Sequence, residues 1–415
     1  MTLYRLIMYL LLPFVFVRLL WRSRRNPAYR SRWKERLGFS DQPISPVIWV
    51  HAVSVGESEA AAPLIHALQQ QYPDIPLLIT TTTPTGSERV RNKYPFARHT
   101  YLPLDLPFAV NRFLRSWQPL VGIIMETEIW PNLILACQQQ GVPVVIANAR
   151  LSSRSAARYG RFKTMLQPVF EAIHVATRSE QDSHYFQQLG VSRVDVMGNI
   201  KLDVHPDSQT IQVGAQLAKQ FDRPVWVAAS THRGEDELVL KAQRKLLQSG
   251  ENCTLILVPR HPERFDEVAR LIEKQGFSYQ RFSQADTRYT SDVLLGDSMG
   301  DLLKFYQLAD LAFIGGSLVS TGGHNPYEAL LYNAVALTGP HVFNFAEAYA
   351  ELEQQQAVVR VSTDDLASKL KQLMQHPEQV QDLQTQGQKA LQKGQGATRK
   401  LMQIIHNEIH EKSRA

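Results

Sequence analysis

The sequence predicts an α/β protein made of two doubly wound, Rossmann-like domains, and three observations carry that expectation. Short β-rich runs alternate with amphipathic helical patterns along most of the chain, as parallel βαβ units require. These runs fall into two separate series. The length, 415 residues, also exceeds what one hydrophobic core usually supports. A composition of 44% hydrophobic and 20% charged residues excludes a disordered or low-complexity chain.

The first series comprises residues 47–53, 77–81, 120–125 and 144–147. The second comprises residues 225–229, 254–258, 293–295, 311–314 and 335–337. Between them the periodicity fades, which places a linker near 203–222. The division expected is therefore 1–36 as a membrane anchor and basic tail, 37–205 as a first domain and 206–415 as a second. In open α/β sheets ligands sit beyond the carboxyl ends of the strands, so two such domains facing each other make a cleft lined by strand-end loops.

Residues 3–20 are almost wholly apolar, with Tyr4 and Trp21 at the edges, but Arg5 and Arg18 shorten the uncharged part below a comfortable span. The segment either crosses a membrane by snorkelling or lies in the interface. A cleaved signal peptide would need small residues at a cleavage site, whereas this run leads into Arg18, Arg22, Arg24, Arg25, Arg30, Arg32, Lys34 and Arg36, opposed by Glu35 alone. Such a tail suits an anionic membrane, and the positive-inside tendency puts the remainder on the cytoplasmic side. A plain buried helix is the rival reading. The net charge is +6 and the isoelectric point about 9.2, and no nucleic-acid partner is expected. Cys137 and Cys253 stand alone in apolar stretches, which excludes a disulfide framework or zinc cluster and points to a reducing compartment.

Candidate chemistry in the first domain lies on acidic strand-end loops. In His51-Ala-Val-Ser-Val-Gly-Glu57 a strand turns into a helix, so Glu57 stands at a helix start beside the expected cleft. A carboxylate there can take a proton from a hydroxyl. Ser54-x-x-Glu57 equally matches a capping box, in which Glu57 only closes the helix N-terminus. Local sequence leaves both readings open. Met125-Glu-Thr-Glu-Ile-Trp-Pro131 brings Glu126 and Glu128 to the same edge. No Asp-x-Asp pair is present, which disfavours a divalent ion on a diphosphate. Arg150, Arg154 and Arg158 would form a basic stripe if one helix carried all three.

In the second domain the strongest local signal is Gly315-Gly-Ser-Leu-Val-Ser-Thr-Gly-Gly-His-Asn-Pro-Tyr-Glu328, where a strand enters a glycine-rich loop ahead of a helix. Such loops offer backbone N–H groups to phosphate. The spacing is neither that of a P-loop nor that of a dinucleotide fingerprint. Asn325 and Glu328 are placed to reach hydroxyls or base edges. Three further strand-end loops run over residues 229–235, 259–264 and 296–301. Arg260 is the best phosphate or base ligand among them, because a planar guanidinium holds two acceptors at once. His232 and His261 are weaker phosphate candidates.

The set His51–Glu57, Thr83-Pro-Thr-Gly-Ser87, Met125–Pro131, Asn148-Ala-Arg150, Pro259-Arg-His-Pro-Glu-Arg264 and Gly322-Gly-His-Asn-Pro326 resembles the 3-deoxy-D-manno-octulosonic acid (Kdo) transferases. The likeness runs nearly end to end. It implies a GT-B fold, a CMP-Kdo donor, and a lipid A precursor acceptor at the cytoplasmic side of a Gram-negative inner membrane. By the resemblance, Glu57 is the catalytic base, and Glu126 and Lys201 assist the transition state. CMP contacts map onto Pro259 and Arg260, onto Met299, Gly300 and Asp301, and onto Asn325, Pro326, Tyr327 and Glu328. Asp301 departs from the family pattern, which has glutamate after Met-Gly, so only a backbone contact there carries over. Inverting displacement without cofactor or metal follows, with loop N–H groups and Arg260 stabilising the departing phosphate. The alternatives are a GT-B enzyme or epimerase using a UDP-sugar, and a non-catalytic membrane-surface binder.

Overall fold

The computed structural model describes residues 1–414 apart from 25, 41–44, 204–205 and 285–287. Two compact units emerge, one formed by residues 1–203 with 394–415 and the other by 204–393. Each is built on a seven-stranded sheet whose strand pairs are all parallel.

The strands of the first unit are β1 (Val47–His51), β2 (Leu77–Thr81), β3 (Arg98–Tyr101), β4 (Pro119–Met125), β5 (Val144–Ala149), β6 (Ile173–Thr177) and β7 (Arg193–Val196), in the order β3-β2-β1-β4-β5-β6-β7. The strand order reverses between β1 and β4, the switch point at which doubly wound sheets open a crevice. Pleating sends alternate residues of β1 to opposite faces. Val47 and Trp49 pack with Phe113, Trp117 and Phe170, while Ile48 and Val50 pack with Leu64, Ile65 and Leu68. The second core also holds Leu401 and Ile405, from the last helix Ala397–Arg414.

That helix corrects the expected boundary, because 394–415 joins the first unit instead of the second. Its docking is polar as well as apolar. The buried Glu408 carboxylate accepts from Arg193 Nη1 at 2.8 Å and lies 2.7 Å from His174 Nδ1. The Asp203 carboxylate receives the N–H groups of Gly396 and Thr398 at the helix start. Residues 204–205 of the expected linker lie outside the described residues.

The second unit carries β8 (Val225–Thr231), β9 (Thr254–Pro259), β10 (Tyr279–Arg281), β11 (Val293–Leu295), β12 (Leu311–Ile314), β13 (Val335–Thr338) and β14 (Val358–Arg360), ordered β10-β11-β9-β8-β12-β13-β14. Here the reversal falls between β8 and β12, so the loops after those strands flank the crevice position. The core gathers Trp226, Phe313, Leu255 and Leu337 beneath covering helices.

The N-terminal helix, α1, spans Thr2–Ser23. Part of the basic tail that the sequence reads as suited to an anionic membrane faces inward. Arg32 grips Glu35 through Nε at 2.6 Å and Nη2 at 2.8 Å and donates to Ser87 Oγ at 2.7 Å. Arg36 is buried, donates to the Thr82 carbonyl at 2.9 Å and lies 4.2 Å over the Tyr101 ring. Both guanidiniums clamp edge strand β3 to the body. Arg25 lies outside the described residues.

Candidate active site

Within the first unit, Glu57 and Glu126 leave the two strands that border the switch point. Helix Val55–Ala60 follows β1, with Ser54 at its N-cap. Both local readings of Glu57 have a counterpart in the geometry. Ser54 Oγ accepts from the Glu57 N–H at 3.4 Å, and the carboxylate accepts from Ser54 Oγ at 3.3 Å and from the Val53 N–H at 2.8 Å. This is a reciprocal cap that reaches one residue further back than the usual box. The same carboxyl is nevertheless pushed up to about 7. Burial is the main cause, the Val53 N–H opposes it, and the negative charges of Glu126 and Glu128 add to it. A group poised there changes protonation near neutral pH, as a general base needs.

Glu126 sits in the left-handed region at φ +58, with its N–H held by the Ala147 carbonyl at 2.8 Å. A non-glycine residue in that conformation is a local cost that concentrates at functional loops. Its carboxylate meets Lys201 Nζ at 3.1 Å, with the two side chains 38% and 42% exposed. The turn that carries Lys201, Ile200–Leu202, is fixed by two asparagines. Asn148, fully buried at φ +54, accepts the Ile200 N–H at 3.2 Å, and Asn199 accepts the Lys201 N–H at 3.1 Å. Burial also raises the Glu128 carboxyl. The predicted trio of Glu57, Glu126 and Lys201 is thus drawn together. The basic stripe is shorter than expected, because helix Ser153–Gly160 carries Arg154 and Arg158 but begins after Arg150.

In the second unit, the glycine-rich loop departs from its expected role. The Glu235 carboxylate, fully buried, accepts the N–H groups of Gly316 at 2.6 Å, Ser317 at 2.9 Å and Leu318 at 2.9 Å, and of His232 at 2.9 Å. A side chain of the protein therefore occupies the first N–H groups of the loop, where phosphate was expected. Two glycines are explained by backbone approach. A Cβ on Gly315 would stand 2.6 Å from the Ser230 carbonyl oxygen, and Gly322 combines φ +101 with contact against Asn344.

The other predicted ligands share the carboxyl edge of this sheet. Pro259 ends β9, and Arg260 follows with an exposed side chain. Met299 is 68% exposed, Gly300 has φ +91, and Asp301 is ion-paired with Lys304, so the Asp301 side chain is already engaged. Asn325 Oδ1 accepts the Tyr327 N–H at 3.1 Å and its Nδ2 donates to Glu328 at 3.3 Å, while Pro326 is buried at the start of helix Tyr327–Leu331.

A histidine cluster sits beside them. His232 and His324 stack with ring centroids 5.1 Å apart and Nε2 atoms 2.9 Å apart, and His261 meets His232 edge-on at 5.4 Å. Burial, then the charge of neighbouring His232 and Arg260, lowers His324 to about 4, so this imidazole is neutral at physiological pH. His324 was not singled out by sequence reasoning, since nothing local ties it to residue 232. Arg264 is not a free ligand. It is buried against Asp236 and the Thr231 carbonyl, which sets the start of helix Asp236–Gln248.

Comparison with known proteins places this architecture. The UDP-GlcNAc 2-epimerase of Neisseria meningitidis bound to UDP-GlcNAc aligns over 87% of this chain and 100% of its own, with a TM-score of 0.57 at 14% identity. An Acinetobacter baumannii MurG structure gives 0.55 over 87% and 99% at 15% identity. Those identities speak to fold alone, and the fold is of the GT-B type, the class of glycosyltransferases with two Rossmann-like domains. Sequence is more specific. A family profile described as 3-deoxy-D-manno-octulosonic-acid transferase (kdotransferase) matches residues 31–204. The 3-deoxy-D-manno-octulosonic acid transferase of Haemophilus influenzae is 42% identical over 395 residues, 92% of each chain. That of Bordetella pertussis is 36% identical over 319 residues, 74% of each. The chain belongs to the Kdo transferase family, which sets aside a non-catalytic membrane-surface binder.

Proposed function

We propose that this enzyme transfers Kdo from CMP-Kdo to a lipid A precursor by a single inverting displacement, with no metal or other cofactor, at the cytoplasmic side of an inner membrane. The observation that carries the reading is Glu57, a carboxyl raised to about 7 beside the Glu126–Lys201 pair at the switch-point edge of the first unit. In the step proposed, an acceptor hydroxyl oxygen forms a bond to the anomeric carbon of Kdo while the bond from that carbon to the CMP phosphate oxygen breaks. The hydroxyl proton passes to ionised Glu57, and the bonding pair leaves with CMP. Lys201 supplies positive charge near the reacting groups, and its bond to Glu126 keeps that carboxylate from adding fully to the repulsion on Glu57.

Donor binding is assigned to the carboxyl edge of the second sheet. Arg260 takes the phosphate, joined by imidazole N–H groups of the His232, His261 and His324 cluster, in place of the loop N–H groups that Glu235 occupies. Asn325 and Glu328 meet the nucleoside, Pro326 and Tyr327 shape its seat, and Pro259, Met299, Gly300 and the Asp301 backbone complete the CMP contacts. The metal-free reading is supported by the missing Asp-x-Asp pair and by the monophosphate leaving group, which needs less charge neutralisation than a diphosphate.

The reading is tested by incubating the purified chain with CMP-Kdo and a lipid A precursor and weighing the products by mass spectrometry. Mass increments of whole Kdo residues, with release of CMP, are expected. An unmodified acceptor beside consumed donor would refute acceptor and mechanism together. The account also expects Lys201→Met to slow transfer by about 100-fold, the usual loss for one preorganised charged donor. Its melting temperature should stay within a degree or two, because exposed ion pairs contribute little to stability. Steady-state rates and a thermal melt check both halves.

A further inference from the structure

Helix α1 is apolar enough to cross a membrane by length and composition, yet its docking is that of a helix lying against a protein body. The less exposed positions are Met1, Tyr4, Met8, Leu12, Val15, Phe16, Leu19 and Ser23, spaced by three or four residues along one face. That stripe runs the whole length of the helix. Polar contacts pin its beginning: Tyr4 donates to the buried Asp105 carboxylate at 2.7 Å, and Arg5 Nε donates to Asn132 Oδ1 at 3.1 Å. Tyr9 stacks near Phe108 at 6.4 Å. Further along, Phe16 meets Trp33 at 5.0 Å, and Ser23 Oγ receives Arg30 Nε at 2.7 Å.

A spanning helix of 22 residues would carry its two ends about 33 Å apart along the membrane normal. Tyr4 and Arg5 would then be stranded across the bilayer from Asp105 and Asn132, which belong to the folded body. The opposite face of α1 is apolar and bare: Leu3 is 65% exposed, Leu10 65%, Phe14 70% and Val17 63%. The bare surface continues onto the body through exposed Phe108 and Phe39, where the Arg112 guanidinium lies 3.7 Å from the Phe39 ring and 5.8 Å from the Phe108 ring. Exposed Arg18, Arg22, Arg24 and Lys34 follow in sequence, matching an anionic headgroup layer.

We propose that α1 is a monotopic anchor that lies in the plane of the membrane surface, held to the body by one face and immersed in lipid by the other, with Phe108 and Phe39 extending the immersed patch. Both ends of the helix then stay on the side of the membrane where the sheets are. This geometry keeps the body pressed to the surface, within reach of an acceptor whose sugars protrude from that layer. It rests on the reading above that the chain works at a membrane.

Sided labelling tests it on the full-length chain reconstituted in sealed vesicles containing phosphatidylglycerol. Thr2→Cys, exposed at the first position of the helix and flanking the face of Leu3, Leu10, Phe14 and Val17, and Lys274→Cys, an exposed reporter on the second unit, are probed separately with a membrane-impermeant maleimide. Native Cys137 and Cys253 are buried and give a low background. Labelling of both cysteines from the same side of intact vesicles is expected. Labelling of Thr2→Cys only after vesicle rupture, when Lys274→Cys reacts beforehand, would overturn the in-plane geometry while leaving the anchor. Sedimentation distinguishes the other failure: a wild-type chain that does not pellet with the vesicles would overturn the anchor reading and the proposal together. Leu10→Asp and Phe14→Asp are expected each to weaken pelleting by about tenfold or more, the equivalent of one immersed apolar side chain. Unchanged pelleting would contradict immersion of that face.

Discussion

Glu57→Gln is expected to cut Kdo transfer by about 100- to 10,000-fold, the range that a positioned general base supplies, and to leave a folded protein that still binds CMP. The amide cannot accept the acceptor proton, but its oxygen can take the Val53 N–H and its nitrogen can meet Ser54, so the helix cap persists. The stability change has a definite sign. The folded-state carboxyl, near 7, lies above the ordinary unfolded value, so below that ordinary value both states are protonated and the substitution changes little. As pH rises towards and beyond 7, wild type ionises Glu57 in a site that disfavours the charge, and the folded state loses ground relative to the variant. A melting temperature higher in the variant at pH 8, and equal at pH 4, is the expected pattern. Turnover, calorimetric CMP titration and melts at the two pH values check it, and near wild-type turnover would remove Glu57 from the mechanism.

Glu235→Ala is expected to be the most damaging substitution for stability. It leaves the N–H groups of His232, Gly316, Ser317 and Leu318 without the buried carboxylate that satisfies all of them. Each buried unsatisfied group costs about 1–3 kcal/mol. Water entering the cavity offsets part of the cost, but several kcal/mol is a large share of the roughly 5–15 kcal/mol that holds a domain together. Calorimetry should show the second unit melting at least several degrees lower, with CMP affinity lost as the loop loosens. Glu235→Gln retains one accepting oxygen and should fall between alanine and wild type. Unaltered melting of the alanine variant would show that the loop is held by other means.

The contrast between these two glutamates explains which features were legible in the sequence. Glu57 announced itself, because a strand, a Ser-x-x-Glu spacing and an amphipathic helix lie within a dozen residues. Its pKa was not readable, since it depends first on burial in the folded loop and then on the charges of Glu126 and Glu128 brought in by β4. Glu235 sat in a recognised strand-end loop, but three of its four partners are some eighty residues away, and only the adjacency of β8 and β12 puts them in reach. The same reasoning covers the strands. Buried runs such as β1, β4 and β9 are continuous apolar stretches and were found, whereas the edge strands β3, β7, β10 and β14 are short and partly polar because one flank faces no further strand. β6 was missed although it is interior, its apolar run broken by His174, which pairs with Glu408 of the last helix. That long-range docking also accounts for the misplaced domain boundary, since nothing in the amphipathic pattern of residues 397–414 says which sheet it will cover.

In the proposed step Glu57 must be ionised to take the acceptor proton, and burial, with the charges of Glu126 and Glu128 added to it, holds its pKa up. The pH dependence of kcat/KM in wild type and in Glu128→Gln measures this directly. The account predicts an acid limb with a midpoint near 7 in wild type, activity rising with pH, and a midpoint displaced to lower pH when the Glu128 charge is removed. A limb centred in the ordinary carboxylate range, or one that does not move in Glu128→Gln, would contradict it.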